Sequence, residues 1–119
     1  MNKKTTGDLG ENMAENYLLT LGYKVIERKY FARVGEIDLI AICPENKTTV
    51  FVEVKTRSNQ KFGLPEESIT SKKLYKLKKA ATHFFNHTSR KVPFSWRLDL
   101  ISIQLKSNHF EHFKNILNG

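Results

Sequence analysis

Two β-rich stretches, Glu36 to Cys43 and Thr48 to Arg57, flank the turn-forming run Pro44-Glu45-Asn46-Lys47. That arrangement predicts an antiparallel hairpin, and the turn fixes its register. With Pro44 to Lys47 as the loop, Cys43 faces Thr48, Asp38 faces Glu53 and Glu36 faces Lys55. Side chains alternate along a strand. One face therefore carries Glu36, Asp38, Ile40, Phe51, Glu53 and Lys55. The other carries Ile37, Leu39, Ala41, Cys43, Val50, Val52 and Val54, which are all apolar and form core.

The mixed face carries the chemistry. Carboxylates directly opposite each other on paired strands stand about 5 Å apart at Cβ and repel. A divalent cation would offset that repulsion, and Mg²⁺ prefers carboxylate oxygens while keeping several waters. Lys55 lies beside Glu53 on the same face. The alternative is an open, solvated sheet face with ordinary ion pairs, although Ile40 and Phe51 argue that the face is partly covered.

The rest of the chain supplies the frame. Leu9, Met13, Tyr17, Leu18 and Leu21 recur at helical spacing over residues 6–21, and Gly22 follows as a C-terminal stop. Residues 23–31 read as a strand, joined to the hairpin by Ala32-Arg33-Val34-Gly35. Residues 58–67 form a loop with Gly63 and Pro65. Thr70 or Ser71 caps a second helix reaching Asn86, with Leu74, Leu77, Ala80, Ala81, Phe84 and Phe85 as its apolar arc. Strands follow over 96–105 and 110–117. The order α-β-β-β-α-β-β predicts a single α/β domain over 1–119, a mixed, roughly five-stranded sheet flanked by helices.

Charge narrows the partner. Twenty Lys and Arg against 12 Asp and Glu give a net +8, which points to a polyanion: nucleic acid or an anionic membrane. No stretch approaches the roughly 18 apolar residues of a spanning helix, and the N-terminal residues lack the apolar core of a secretory signal. A single Cys43 excludes an intramolecular disulfide and a cysteine-based zinc site. These features predict a cytoplasmic protein with no membrane partner.

Asp38 followed by Glu53-Val54-Lys55 resembles the D-x(n)-E-x-K signature of restriction-endonuclease-like nucleases. The similarity is closer to the bacterial YraN-type family, which itself resembles archaeal Holliday junction resolvases. It rests on Gly7-Asp8-Leu9-Gly10-Glu11, Gly35-Glu36-Ile37-Asp38-Leu39-Ile40, Phe51-Val52-Glu53-Val54-Lys55-Thr56-Arg57, Lys73 and Arg97-Leu98-Asp99-Leu100-Ile101. The chain departs from the family pattern at Lys29, where the family has Asn. The resemblance implies metal-dependent phosphodiester hydrolysis, with Mg²⁺ or Mn²⁺ on Asp38 and Glu53, and Lys55 orienting water and stabilising charge. It also implies DNA rather than RNA, with a Holliday junction or other branched DNA as substrate.

Other residues are weighed against simpler roles. The resemblance makes Glu11 the helical acid completing the metal shell; on a helical wheel it borders the buried stripe, and the alternative is a surface acid near a helix N-terminus. Lys73 shares a side with Leu77, Ala80 and Phe84 and either lays its stem along the core or binds a phosphate. Lys72, Lys76 and Lys79 form a stripe that, with Arg57 and Lys61, is either a solvated face or a phosphate track. His83 and His87 at i, i+4 lack the Glu of a zinc helix, and Asp99 reads as a structural hydrogen-bonder. Two rival functions remain: a catalytically silent nucleic-acid-binding module, and a protein that binds partners or itself, as a homodimer, through Phe110 to Leu117.

Overall fold

A computed structural model describes residues 3–57 and 69–118. The expected loop over 58–67, with Lys61, lies outside the described residues. Helix α1 (Lys3–Thr20) leads into strands β1 (Lys24–Ala32), β2 (Gly35–Ile42) and β3 (Thr49–Arg57). Helix α2 (Ser71–His87) then crosses to β4 (Trp96–Gln104) and β5 (His109–Phe113), and a 3₁₀ turn follows at Ile116–Asn118. The expected last strand to residue 117 is thus shorter, because Asn115 takes a left-handed φ of 55° and turns the chain off the sheet.

The five strands lie in sequence order, with β3 and β4 parallel and every other neighbour antiparallel. Two hairpins come first. The parallel pair needs a crossover, which α2 supplies. Thr70 caps α2, its hydroxyl accepting from the Lys73 N–H at 3.1 Å. Gly22, at φ 87°, ends α1 as the sequence predicts.

The helices cover opposite faces of the sheet. Ala14 and Leu18 of α1 pack on Leu39, Ala41, Val50, Val52, Ile101 and Ile103. Leu77, Ala80, Ala81 and Phe84 of α2 pack on Ile40, Phe51 and Leu98. On α1 the expected stripe rotates: Leu9 and Leu21 are exposed, because Ala14 and Leu18 take the closest approach to the sheet.

The predicted register of the second hairpin holds from Ile42–Thr49 to Leu39–Val52 and stops there. Asp38–Glu53 and Glu36–Lys55 are not ladder pairs. In the first hairpin Arg28–Leu39 and Tyr30–Ile37 pair in one register, with Lys29 between them opposite Asp38 at a left-handed φ of 50°; the register shift lies further back, between Val25 and Glu27. Ile37, expected beside Leu39, instead joins the α2-side core. Asn, the residue the resemblance implies at this position, enters left-handed space more readily than Lys.

Beneath α1 lies a buried polar network. Asp99 is wholly buried and accepts from Arg97 Nε at 2.9 Å, from the Asn115 N–H at 3.0 Å and, across 2.8 Å, meets His112 Nε2. His112 Nδ1 stands 3.0 Å from the Tyr17 hydroxyl, and Arg97 Nη2 donates to the Tyr23 hydroxyl at 2.7 Å. Burial alone would push Asp99 up; the hydrogen bonds from His112, Arg97 and Asn115 outweigh it and hold the carboxyl below its usual range. The structural role expected for Asp99 is the one observed.

The close seat of α1 on β3 is set at Gly10. A Cβ there would overlap Thr56 Oγ1 and stand 2.9 Å from Thr56 Cβ, whereas one at Gly7 meets nothing within 4 Å. Gly10→Ala should destabilise the protein by about 1–3 kcal/mol through overpacking. Gly7→Ala should stabilise it by about 0.5–1 kcal/mol, as helical Gly→Ala changes do. Denaturant melts of the two variants measure the contrast, and equal effects would show that α1 does not approach β3 this closely.

Candidate active site

The break in the sheet is where the carboxylates gather. Beyond Leu39–Val52 the β2–β3 ladder ends, so the Val54 N–H turns to a side chain: it donates to Asp38 Oδ2 at 2.7 Å. Glu53, the residue before it, is 6% exposed and faces the α2 side, like Phe51 two residues earlier. Asp38 and Glu53 line one cleft of about 420 Å³. Its walls are the β1–β2 tip (Phe31, Arg33 and Val34) and Lys73 and Lys76 of α2.

The structure brings Lys73 to this site: its Nζ lies 3.2 Å from Glu53 Oε2. Lys55 is half-buried on β3 opposite Ser102, and among the described residues its ammonium pairs with no carboxylate. Lys76 borders the cleft, while Lys72 and Lys79 are exposed further along α2, the Lys79 Nζ standing 5.5 Å over the Tyr75 ring. Arg57 is half-buried at the end of β3. His83 and His87 stack at 4.0 Å, and their Nδ1 atoms are engaged by the Tyr30 hydroxyl and the His83 carbonyl.

Glu11 approaches from α1 and is buried. Its Oε1 lies 2.9 Å from Lys29 Nζ, which also meets Asp8 at 2.8 Å, and it has no aligned hydrogen bond. Asp8 and then Glu11 raise the Lys29 ammonium above its ordinary pKa. Sequence reasoning missed this bridge. No local signal announces it, since Glu11 and Asp8 reach Lys29 only through the way α1 lies over β1.

These contacts give Asp38 an unusual charge. Burial, then the neighbouring Glu53, push its carboxyl from 3.8 up to about 7, with Glu11 adding to the rise. The Val54 N–H and Lys73 oppose the shift without cancelling it. Among the described residues no group of three or more His, Cys, Asp or Glu is arranged to hold a metal ion. The two-carboxylate pair suits a hard cation that keeps most of its waters. Glu11 would enter such a shell only by leaving Lys29.

Residues 10–103 match the family described as "Uncharacterised protein family UPF0102". A UPF0102 protein of Caldicellulosiruptor bescii is 44% identical over 103 residues, covering 87% of this chain and 85% of the relative. One from Clostridioides difficile is 40% identical over 116 residues, covering 97% and 98%. Among solved structures, Pyrococcus furiosus SfsA in complex with Ca²⁺ is similar at 14% identity and a TM-score of 0.36, over 95% of this chain. The chain spans 64% of that protein's length.

The raised Asp38 sets a pH dependence. Between 3.8 and about 7 the folded protein keeps a proton on Asp38 that the unfolded chain has released. Stability of the metal-free protein should therefore fall as pH rises through that window and level off above it, by about 4 kcal/mol at most. Asp99 acts oppositely, its contribution being lost as pH falls through the carboxylate range. In chelator at pH 8, Asp38→Asn should melt higher than wild type and flatten the decline. A lower melt would mean that the charged carboxylate on the Val54 N–H stabilises the fold.

Proposed function

The chain belongs to the UPF0102 family, which is of the restriction-endonuclease-like type, and from that membership and the carboxylate cleft we propose metal-dependent hydrolysis of phosphodiester bonds in nucleic acid. The observation that carries the proposal is the pairing of Asp38 and Glu53 in one cleft, with Asp38 titrating near 7 and lysines on the facing wall. A carboxylate pair that repels itself is costly in a fold unless a cation is its natural occupant.

Asp38 and Glu53 would hold the ion, and Mg²⁺ or Mn²⁺ there would supply a water of lowered pKa and a Lewis acid for the phosphoryl oxygen. The Val54 N–H fixes one oxygen of Asp38, a residue that lines the cleft. Lys73, with a side chain 41% exposed, moves from Glu53 to a phosphate oxygen at small cost. Lys55 contributes positive charge from β3, where negative charge builds on the phosphate. Lys72, Lys76 and Lys79 extend the positive surface along α2 and guide the polyanion. DNA, and branched DNA in particular, is the proposed substrate.

The second reading is a nucleic-acid-binding module without turnover. Lys73 favours it, because its ammonium already partly neutralises Glu53 without any metal.

Cleavage of labelled junction, flap, single-stranded and duplex substrates, with Mg²⁺ and with Mn²⁺, tests the proposal. Asp38→Asn should abolish cleavage and weaken calorimetric metal binding, while metal-free binding to nucleic acid is unchanged or tighter. Lys55→Ala should keep metal binding and lose turnover by about 10²-fold or more. A wild-type protein that binds nucleic acid but neither binds a divalent ion nor cleaves would establish the binding module.

A further inference from the structure

The β1–β2 tip is built against ordinary turn chemistry. Ala32 pairs with Gly35, leaving Arg33 and Val34 as the loop. Two-residue hairpins favour Gly, Asn or Asp with positive φ, yet neither Arg33 nor Val34 has one. Beside them, Phe31 is 64% exposed and Val34 46%. A large aromatic standing out from an edge strand is a liability for self-association unless something covers it. Nothing in local folding accounts for Phe31, Arg33 and Val34 at this position.

The tip's location supplies the reason: all three residues line the cleft that holds Asp38 and Glu53. Arg33 is exposed and, among the described residues, pairs with no carboxylate. Across the cleft stand Lys73 and Lys76. Glu36, opposite Phe31 in the ladder, also lines the cleft, so Lys73 and Lys76 are its attractive wall for a phosphate. An aromatic face beside a guanidinium, set across a cleft from two ammonium groups, matches a nucleotide whose base leaves the stack while its phosphate enters the cleft.

We infer that the Phe31–Val34 tip is a stacking wedge for an unpaired nucleobase next to a phosphate that Lys73 and Lys76 draw into the cleft of Asp38 and Glu53. Phe31 takes the base face, Val34 covers its edge and Arg33 meets the flanking phosphate. The inference rests on the nuclease reading and narrows its substrate class to strands with an unpaired base, such as a fork, flap or junction centre. Fully paired duplex offers no free base face to Phe31.

The test uses purified protein in chelator and oligonucleotides carrying the fluorescent base 2-aminopurine, either unpaired at a fork or within a duplex. Wild type should change the fluorescence of the fork base by stacking, leave the duplex base unaffected, and bind the fork more tightly. Phe31→Ala should abolish the fluorescence change and lose roughly ten-fold in fork affinity, with duplex affinity unchanged; Phe31→Trp should restore both. Equal losses on fork and duplex, or a fluorescence change that survives Phe31→Ala, would overturn the wedge. So would a wild-type dimer in sedimentation that Phe31→Ala dissociates with the base signal unaltered, since the tip would then cover itself with a second copy. Nucleic-acid binding without a base signal sinks this inference and spares the nuclease reading; no binding at all sinks both.

Discussion

The site depends on one interruption of backbone pairing. At the level of Asp38 the β2–β3 ladder ends, and on the other side left-handed Lys29 drops out of the β1 pairings without shifting their register. A regular ladder would spend the Val54 N–H on a carbonyl and close the gap. The break instead turns that donor toward a carboxylate and opens a cleft beneath α2. Local backbone strain and a raised carboxyl pKa thus coincide, as they do where structure is arranged for a ligand rather than for stability.

The two helices divide the labour around this break. On the α1 side, aliphatic packing and the Asp99 network fix β3 and β4. On the α2 side, Phe84 and Leu77 pack into the core, and the same helix turns Lys73 and Lys76 toward the cleft. Helix α2 therefore serves as crossover, core layer and positive wall at once. Its apolar arc anchors it, which leaves its charged residues free to vary in conformation without cost to the core.

The fold was legible because its signals are local and periodic. The turn at Pro44 to Lys47 set the register from Cys43 through Leu39, and the arc from Leu74 to Phe85 marked the buried side of α2. Legibility ended where periodicity ended. Ile37 crossed to the other core and Asp38 left the ladder, and strict alternation cannot encode either departure. The carboxylates could be named from spacing alone. The partner of Glu53 could not: Lys73 reaches it from an element separated by residues 58–68, and only the tertiary fold brings them together. Likewise the pairing of Glu11 with Lys29 depends on how α1 lies over β1.

The Asp99 network joins the two ends of the described chain, with Tyr17 near its start and His112 and Asn115 near its close. A chain emerging from the ribosome makes α1 and the first hairpin early, yet Asp99 is left with a buried charge and half its donors until residue 115 is released. Before that point the sheet can collapse but not settle, since an under-paired carboxylate resists burial. β5 and the turn after it thus decide when the sheet can lock, and a chain cut before them would keep Asp99 under-paired in a loosened core.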